Sequence, residues 1–338
     1  MISLKEIKDI LGNNDPVMVE EMAQKARDIT ITQFGRVISL YAPIYLSNYC
    51  ENHCVYCGFR TTKKIKRTKL DADQIESEMK IVSKSGIQNI LLLTGESRVK
   101  TPVSYMKDAV LIAKKYFPSI SLEIYPLEIS EYKELFHAGV DGVTLYQETY
   151  NRSRYSELHL SGRKKDYSYR YETPERIAES GIRMINMGIL LGLSELGEDL
   201  FELYKHLQYM EKKFPGVEYS ISFPRLIVPE NESSDYSKIS DLQLVKILTL
   251  TRILFPRVGI NLSTRESSEF RDAALKVGVT KISAASNTSV GGYMKESFND
   301  PQFEVIDKRS IDEIKNMLIK KGFDPVFTDW RRINNSAL

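Results

Sequence analysis

A recurring succession of helix, glycine and short apolar strand is the feature that most limits how this chain can fold. Predicted helices end at Gly86, Gly139, Gly181 and Gly278, and an apolar strand follows each glycine at once. Glycine often ends a helix because it adopts a left-handed conformation without steric cost. Apolar strands that alternate with helices are typical of parallel βα units, in which both faces of the sheet are buried.

The number of these units predicts the fold class. Eight strands are predicted, near residues 38–47, 88–94, 119–126, 140–147, 182–190, 217–224, 258–263 and 279–285. No long linker separates them, and a (βα)8 barrel is a single domain of about this length. The sequence therefore predicts an α/β protein with a (βα)8 TIM-type barrel, in preference to a doubly wound sheet. In such a barrel the chemistry is expected at the C-terminal ends of the strands.

The residues before the first strand predict a helical extension. Ser3 can cap a first helix, and Asp15-Pro16 can begin a second, with proline at the first helical position, where its missing N–H has no partner to lose. We therefore divide the chain into an N-terminal helical extension over 1–36, a barrel over 37–330 and a C-terminal tail over 331–338.

The bulk composition excludes several classes of protein. With 42% hydrophobic and 27% charged residues, the 338-residue chain is expected to be globular and not disordered. A net charge of +2 gives no electrostatic case for nucleic acid. No apolar run reaches the roughly 18 residues of a membrane span, and the N-terminus lacks the pattern of a signal peptide. Because the cysteines are confined to one motif, we expect a reducing interior and a cytoplasmic protein.

All three cysteines of the chain lie within one short stretch, in the spacing C-x3-C-x2-C, at Cys50, Cys54 and Cys57. Packing does not readily explain three crowded thiolates, so they predict a metal centre. A tetrahedral zinc or a cubane iron–sulfur cluster normally takes four protein ligands, and there is no fourth cysteine. An open corner suits a cluster that binds and reduces an exogenous ligand. The alternatives are a zinc site with His53 as fourth ligand, or a chance group of buried cysteines.

Polar residues follow two of the predicted strands. After the second strand comes Thr94-Gly95-Glu96, where the glycine lets the backbone approach a ligand and the glutamate could bind a cationic amino group. A surface glutamate after a glycine is equally common. After the fourth strand comes Gln147-Glu148, which could reach ribose hydroxyls or could form a hydrogen-bonded turn.

Two further stretches are candidates for holding a ligand. Arg170 lies in a tyrosine-rich segment, and a guanidinium can hold a carboxylate through two parallel hydrogen bonds. An ordinary surface arginine stacked on tyrosine is the alternative. The fifth strand ends in Ile189-Leu190, between Gly188 and Gly192, and apolar residues flanked by glycines suit a flat ring as well as an ordinary strand.

Arg225 lies at the end of the predicted sixth strand, and Arg265 lies at the end of the seventh. Ser263 precedes Arg265 by two residues, and Ser286 follows the eighth strand. Arginines inside a barrel mouth are costly unless they are paired or bind an anion. The carboxylate of an amino acid is one natural occupant. Salt bridges to Glu266 or Asp272 are the alternative.

The chain resembles the radical SAM enzymes, in which three cysteines hold a [4Fe-4S] cluster that cleaves S-adenosylmethionine (SAM). The resemblance rests on the cysteine spacing and on Tyr56, an aromatic residue just before the last cysteine. It becomes specific for the aromatic amino acid lyases of this group, above all the 2-iminoacetate synthase type, through motifs shared over about residues 35–330. These are YLSN at 45–48, LLTGE at 92–96, YQETY at 146–150, SFPRL at 222–226, STRES at 263–267 and DW at 329–330.

The resemblance implies a role for each candidate residue. The three cysteines would hold the cluster. SAM would be held by Tyr56, Thr94, Gly95, Glu96, Gln147, Glu148, Arg170, Ile189 and Leu190. Arg265 would bind the substrate carboxylate with support from Ser263 and Ser286, while Arg225 would bind the same carboxylate or steady the leaving fragment.

The reaction that this resemblance implies is cleavage of the Cα–Cβ bond of L-tyrosine to 2-iminoacetate (dehydroglycine) and p-cresol, for the thiazole of thiamine. The expected partners are a thiazole synthase protein and an electron donor such as flavodoxin or ferredoxin. A tryptophan-acting lyase of the 3-methyl-2-indolic acid synthase type is the enzymatic alternative. A non-catalytic three-cysteine metal-binding protein is the alternative from another class. The sister maturases of [FeFe]-hydrogenase carry a second cluster on further cysteines, and none follows Cys57 here.

Overall fold

The computed structural model describes residues 2–227, 236–294 and 301–328, and within them the chain forms one closed barrel. The last motif of the resemblance, at 329–330, and the expected tail at 331–338 lie outside the described residues. The described strands are β1 Val37–Ser47, β2 His53–Cys54, β3 Asn89–Thr94, β4 Ser119–Glu123, β5 Gly142–Glu148, β6 His159–Ser161, β7 Met184–Ile189, β8 Glu218–Ser222, β9 Gly259–Leu262, β10 Lys281–Ser283 and β11 Asp324–Val326.

Eight of these strands form the barrel, all parallel, in the order β1, β3, β4, β5, β7, β8, β9 and β10. The pairing of β10 with β1 closes the barrel, with Leu40 opposite Ile282. The eight predicted strands and the TIM-type fold class are therefore confirmed. A ninth parallel strand, β11, joins the start of β1 from outside the barrel, with Val37 opposite Asp324.

Helices alternate with the barrel strands as the glycine pattern predicts. The described α-helices are α1 Leu4–Gly12, α2 Pro16–Phe34, α3 Ala72–Ser83, α4 Val103–Ala113, α5 Ile129–Ala138, α6 Arg152–Leu158, α7 Tyr167–Tyr171, α8 Thr173–Glu179, α9 Leu196–Lys213, α10 Asp241–Leu254, α11 Ser268–Ala274 and α12 Ile311–Lys320. Asp71 caps α3 and forms a capping box with Gln74, so the start of this helix is set by its own sequence.

The two N-terminal helices pack on the outside of the barrel. Ser3 caps α1 and Asp15 caps α2, with Pro16 at the first position, as the sequence predicts. α1 lies against α9, and α2 lies against α10. Lys246 on α10 donates from Nζ to the carbonyl of Leu11 at 2.9 Å, which fixes the turn between the two helices. Among the described residues, no helix combines the length and apolar character that a membrane crossing needs.

Two excursions from the barrel bring extra residues to the C-terminal ends of the strands. The cysteine loop, which we define as residues 48–59, leaves β1 and contains β2. A second excursion follows β5 and contains α6, β6, a 3₁₀ turn at Arg163–Lys165 and α7. β2 and β6 pair antiparallel, with His53 opposite Ser161, so the second excursion lies beside the cysteine loop.

Candidate active site

A cavity of about 540 Å³ opens at the C-terminal ends of the barrel strands. This volume is in the range of small-molecule sites, and the position is the one at which TIM-type enzymes carry out their chemistry. The residues predicted for the site that line it are Cys50, Cys54, Tyr56, Cys57, Thr94, Gly95, Glu96, Glu148, Arg170, Leu190, Ser263, Arg265 and Ser286.

The cysteine loop is held in place by backbone contacts on two sides. A Cβ atom added to Gly95 would collide with the carbonyl oxygen of Tyr49, and one added to Gly58 would collide with that of Gln302. Glu51 also donates its N–H to the carbonyl of Glu96 at 2.9 Å. Because glycine alone permits such close approach, the chain beside the cysteines is positioned by contacts that involve no sulfur.

The three cysteines fit an iron–sulfur cluster better than a single metal ion. Among the residues that the structure describes, no three His, Cys, Asp or Glu side chains are arranged to hold one ion. His53, the alternative zinc ligand, has its Nε2 3.3 Å from the hydroxyl of Thr62. In a cubane each thiolate bonds to a different iron, so the ligands surround a cluster-sized space and do not meet at one point. All three cysteines line one cavity, as such an arrangement needs.

Burial controls the chemistry of the thiols. It raises the pKa of Cys50 to about 11 and raises that of Cys54 still further. A thiol in such surroundings stays protonated until a metal centre supplies positive charge and displaces the proton. The environment of Cys50 and Cys54 therefore disfavours the free thiolate, and a bound metal centre would favour it.

Four charged side chains next to the cysteines form what we call the charge quartet, Glu96, Glu148, Lys164 and Arg170. Arg170 donates from Nη1 to Glu96 Oε1 at 3.0 Å, and Lys164 donates from Nζ to Glu148 Oε1 at 2.7 Å. The cross pairs are longer, at 3.9 Å for Lys164 with Glu96 and 3.8 Å for Arg170 with Glu148. Two acids and two bases therefore neutralise each other in a buried position.

The quartet fixes the protonation of its own members. Burial alone would raise the pKa of Glu96, but Arg170 and Lys164 hold it below the ordinary value. The same two cations hold the pKa of Glu148 below its ordinary value against the effect of burial. Asn52 donates from Nδ2 to the second oxygen of Glu96 at 2.7 Å. All four charges persist at neutral pH, so they can orient a zwitterionic or charged ligand.

Tyr56, Thr94 and Leu190 line the cavity as predicted for a cofactor pocket. The Tyr56 hydroxyl donates to Nε2 of His159 at 2.8 Å, because the other ring nitrogen donates to the carbonyl of Tyr155. The Thr94 hydroxyl is buried without a hydrogen-bond partner among the described residues. A buried hydroxyl without a partner is uncommon, and a ligand in the cavity would supply one.

Three residues predicted for the site do not line the cavity, namely Gln147, Ile189 and Arg225. For Gln147 the reason is the alternation of a strand, since its neighbours Tyr146 and Glu148 face the cavity and it points to the opposite side. Ile189 differs from Leu190 in the same way. Both side chains are buried.

Arg225 is occupied by salt bridges, which was the alternative prediction for it. It donates from Nε to Glu266 at 3.1 Å and makes a second contact with the same carboxylate. It also donates from Nη1 to Asp241 at 2.7 Å. Since the Glu266 side chain is only 3% exposed, the pair stabilises the ends of two neighbouring strands at the rim of the barrel. These contacts engage most of the Arg225 donors.

Arg265 differs from Arg225 although both follow neighbouring strands. Its side chain lines the cavity and makes no ion pair or hydrogen bond among the described residues. The guanidinium lies 3.6 Å from the ring centroid of Phe303. Burial lowers the pKa of Arg265, opposed by nearby groups that include Tyr45. A half-buried cation that is supported on one face and unpaired at its edges is a site for an anion.

Two charged residues of the cavity, Lys164 and Glu123, carry no motif that reveals them in the sequence. Lys164 reaches the site from the 3₁₀ turn of the second excursion, and only the local run of basic residues at 163–165 signals it. Glu123 ends β4 and lines the cavity. Burial, with the Glu148 charge, raises the pKa of Glu123 to about 7, although Arg265 and the quartet cations oppose this.

Comparison with known families identifies the two halves of the chain. Residues 44–207 match the model of the radical SAM superfamily. Residues 222–324 match the Biotin and Thiamin Synthesis associated domain. The first match contains the cysteine loop and the quartet, and the second contains Arg265 and Phe303.

Curated relatives match over most of their length. The 2-iminoacetate synthase of Salmonella typhimurium strain LT2 is 38% identical over 313 residues, covering 92% of this chain and 83% of that protein. The 2-iminoacetate synthase of Escherichia coli K12 is 37% identical over the same shares.

Solved structures agree with the fold. HydG, a maturase of the [FeFe]-hydrogenase, superposes with a TM-score of 0.91 at 34% identity, over 97% of this chain and 73% of that one. Methylornithine synthase (PylB) superposes at 0.79 with 20% identity, over 96% and 94%, and shows the fold alone. The alternative of a non-catalytic metal-binding protein is thereby wrong. The chain belongs to the radical SAM family that includes the 2-iminoacetate synthases, and it is a radical SAM lyase that uses a [4Fe-4S] cluster and SAM.

Proposed function

We propose that this lyase cleaves the Cα–Cβ bond of L-tyrosine to 2-iminoacetate and p-cresol, for assembly of the thiazole of thiamine. The observation that carries the proposal is Arg265, a half-buried guanidinium in the cavity that makes no hydrogen bond or ion pair among the described residues. An amino acid carboxylate matches its charge and its planar donor edge. The curated relatives are named 2-iminoacetate synthases, which supports 2-iminoacetate as the product. Tyrosine is the amino acid that the family resemblance implies as its source.

In this proposal Cys50, Cys54 and Cys57 hold the cluster, and the charge quartet holds the amino acid part of SAM. Glu96 takes the methionyl ammonium and Arg170 takes the carboxylate, each exchanging part of its present pairing for the ligand. Gly95 lets the backbone approach, and Thr94 gains the hydrogen-bond partner that its buried hydroxyl lacks. Leu190 and Tyr56 supply the walls beside the adenosine. When bound, the cluster and SAM supply the 5′-deoxyadenosyl radical that abstracts a substrate hydrogen.

The residues of the barrel mouth position and protect the substrate. Arg265 binds the carboxylate, and the hydroxyls of Ser263 and Ser286 lie in the same cavity. Ser286 has a buried hydroxyl without a partner among the described residues, so it can donate to the same carboxylate. A substrate held inside the barrel mouth would be shielded from bulk water, which would hydrolyse an imine and intercept carbon radicals.

Anaerobic turnover tests the substrate. The reconstituted protein is incubated with SAM and a reductant, and with either tyrosine or tryptophan, and the products are identified by mass spectrometry. We expect 5′-deoxyadenosine, p-cresol and glyoxylate (the hydrolysed imine) from tyrosine only. An indolic product from tryptophan would show that tryptophan, the alternative, is the substrate. Deoxyadenosine with neither product would contradict both assignments.

Variants of Arg265 test the observation that carries the proposal. Arg265→Met should weaken tyrosine binding about 10- to 100-fold, the range for a lost charged hydrogen bond, and Arg265→Lys should recover part of it. SAM binding should not change. Arg257→Met is the control, since this arginine is exposed on the surface. Equal tyrosine affinity in Arg265→Met and the control would contradict the role of Arg265.

The partners follow from the chemistry of the proposed product and of the cluster. An imine that water destroys favours direct transfer to a thiazole synthase, and the cluster requires a one-electron protein donor such as flavodoxin or ferredoxin. Pull-down of thiazole synthase with this protein tests the first. We expect a complex that survives dilution to micromolar concentration, and no complex at any concentration would contradict it.

A further inference from the structure

Glu123 lines the cavity at the end of a barrel strand and has no role in the chemistry proposed above. Among the described carboxylates at barrel-strand ends in the cavity, it alone has no role. It ends β4, directly opposite Leu93 of β3, and it shares the cavity with Arg265. Among the described residues its side chain makes no hydrogen bond and no ion pair, in contrast to the two glutamates of the charge quartet.

The surroundings of Glu123 are unfavourable for an isolated negative charge. The groups whose charges act on it are the Glu148 carboxylate, which disfavours its ionisation, and the cations of Arg265, Lys164 and Arg170, which favour it. The phenols of Tyr41, Tyr45 and Tyr146 lie close enough for the Glu123 charge to raise their own pKa values. A half-buried carboxylate without donors gains most from a bound cation that also donates hydrogen bonds.

Arg265 supplies the other half of the argument. The charges of Glu123 and Arg265 influence each other, yet no salt bridge joins them. Oppositely charged side chains in one cavity normally pair directly, as they do in the quartet. Two that face the same space unpaired leave an anion-binding edge and a cation-binding edge for one ligand. An α-amino acid carries both charges on the same carbon.

We propose that Glu123 binds the α-ammonium group of the amino acid substrate whose carboxylate is bound by Arg265. This inference rests on the proposed function for the class of ligand, and it assigns the amino group that the preceding roles leave without a partner. Glu123 and Arg265 would bind the two oppositely charged groups on the α-carbon of the substrate. They would thereby fix the position of this carbon and the orientation of its Cα–Cβ bond. The aromatic side chain of the substrate could then differ without any change in how its α-ammonium and carboxylate groups are bound.

Paired ligands test the inference by binding, without turnover. The reconstituted protein with SAM and no reductant is titrated with L-tyrosine and with 3-(4-hydroxyphenyl)propanoate, which lacks the amino group. The second pair is L-tryptophan and 3-indolepropionate. We expect the wild type to bind the amino acid about 10- to 100-fold more tightly than its deamino analogue, as for one charged hydrogen-bonded contact. In Glu123→Gln this preference should fall below about threefold, and Glu123→Asp should restore part of it.

The control variant is Glu211→Gln, which removes another partly buried glutamate whose pKa is raised by burial, far from the cavity on α9. It should keep the full preference. SAM affinity within twofold of wild type shows that Glu123→Gln is folded. A Glu123→Gln protein that keeps the preference, or that loses affinity equally for both members of a pair, would overturn the inference, since a structural role acts equally on both. A wild-type preference only within the tryptophan pair would contradict tyrosine as substrate and leave the ammonium site supported.

Discussion

Two parts of the same cavity differ in how their charged side chains are paired. Beside the cysteines, the charge quartet pairs each acid with a base at 2.7 to 3.0 Å. Beside β4 and β9, Glu123 and Arg265 face the cavity and remain unpaired among the described residues. Both parts hold balanced charge, so the difference lies in geometry and not in composition.

The difference shows which part is complete without a ligand. The charges of the quartet neutralise each other, so the quartet stabilises the folded protein whether or not a ligand is bound. The unpaired residues cost the empty protein free energy that a zwitterionic ligand recovers on binding. We therefore expect substitutions in the quartet to lower the stability of the ligand-free protein as well as SAM affinity. Substitutions of Glu123 or Arg265 should act mainly on substrate affinity.

Removal of one quartet cation is the strongest test of this comparison. Arg170→Met leaves Glu96 and Glu148 buried with only Lys164 between them, and the free energy of unfolding should fall by about 3–5 kcal/mol, as for other buried pairs that lose one partner. Denaturant unfolding of the metal-free protein measures it. Arg163→Met, on the exposed turn beside Lys164, should change stability by less than about 0.5 kcal/mol. A loss below about 1 kcal/mol in Arg170→Met would mean that the quartet is solvated.

The two strand-end arginines give the second test. Arg225→Met leaves the Glu266 carboxylate buried and unpaired, so stability should fall by about 2–3 kcal/mol, while tyrosine affinity stays within about twofold. Arg265→Met should show the reverse, with no loss of stability. Calorimetric titration and denaturant unfolding of both variants measure the pair. A tenfold loss of tyrosine affinity in a folded Arg225→Met protein would show that Arg225 does bind the substrate.

The pH dependence of stability gives the third test. Because the folded-state pKa of Glu123 is raised to about 7 from an ordinary 4.5, the folded protein holds a proton there that the unfolded chain has released. Stability should therefore fall as the pH rises through this window, by about 2–3 kcal/mol between pH 5 and 8 relative to Glu123→Gln. The quartet carboxylates have lowered pKa values, so their contribution is lost only below about pH 4.5. A difference that stays constant with pH would contradict the burial of Glu123.

The smallest expected effect concerns the support of Arg265. Phe303→Leu removes the ring on which the guanidinium lies, and the lost cation–π contact of about 0.5–1 kcal/mol should weaken tyrosine binding about two- to fivefold. Phe201→Leu, which removes a ring beside the exposed Lys205, should leave tyrosine affinity unchanged. An unchanged affinity in Phe303→Leu would show that Arg265 is positioned by other contacts.

The sequence predicts the features that depend on local signals. The barrel strands, the caps at Ser3, Asp15 and Asp71, and the position of the cysteine loop all follow from short-range patterns. These patterns record the conformational preferences of a few neighbouring residues, so no knowledge of the folded chain is needed to interpret them.

Features that depend on distant contacts could not be predicted in the same way. Arg225 and Arg265 are equivalent in the sequence, and only the packing of Glu266 and Asp241 against the first one separates them. Gln147 and Ile189 fail to reach the cavity because a one-residue step in a strand reverses the direction of a side chain. Lys164 enters the site only because β6 pairs with the cysteine loop.

The close backbone contacts at Gly95 and Gly58 have a consequence for the life of the protein after synthesis. Because the loop that carries the ligands is held by main-chain contacts, we expect its path to depend less on the inorganic centre than the fold of a zinc finger does. We therefore expect a molecule that has lost its cluster in air to accept iron and sulfide again without refolding.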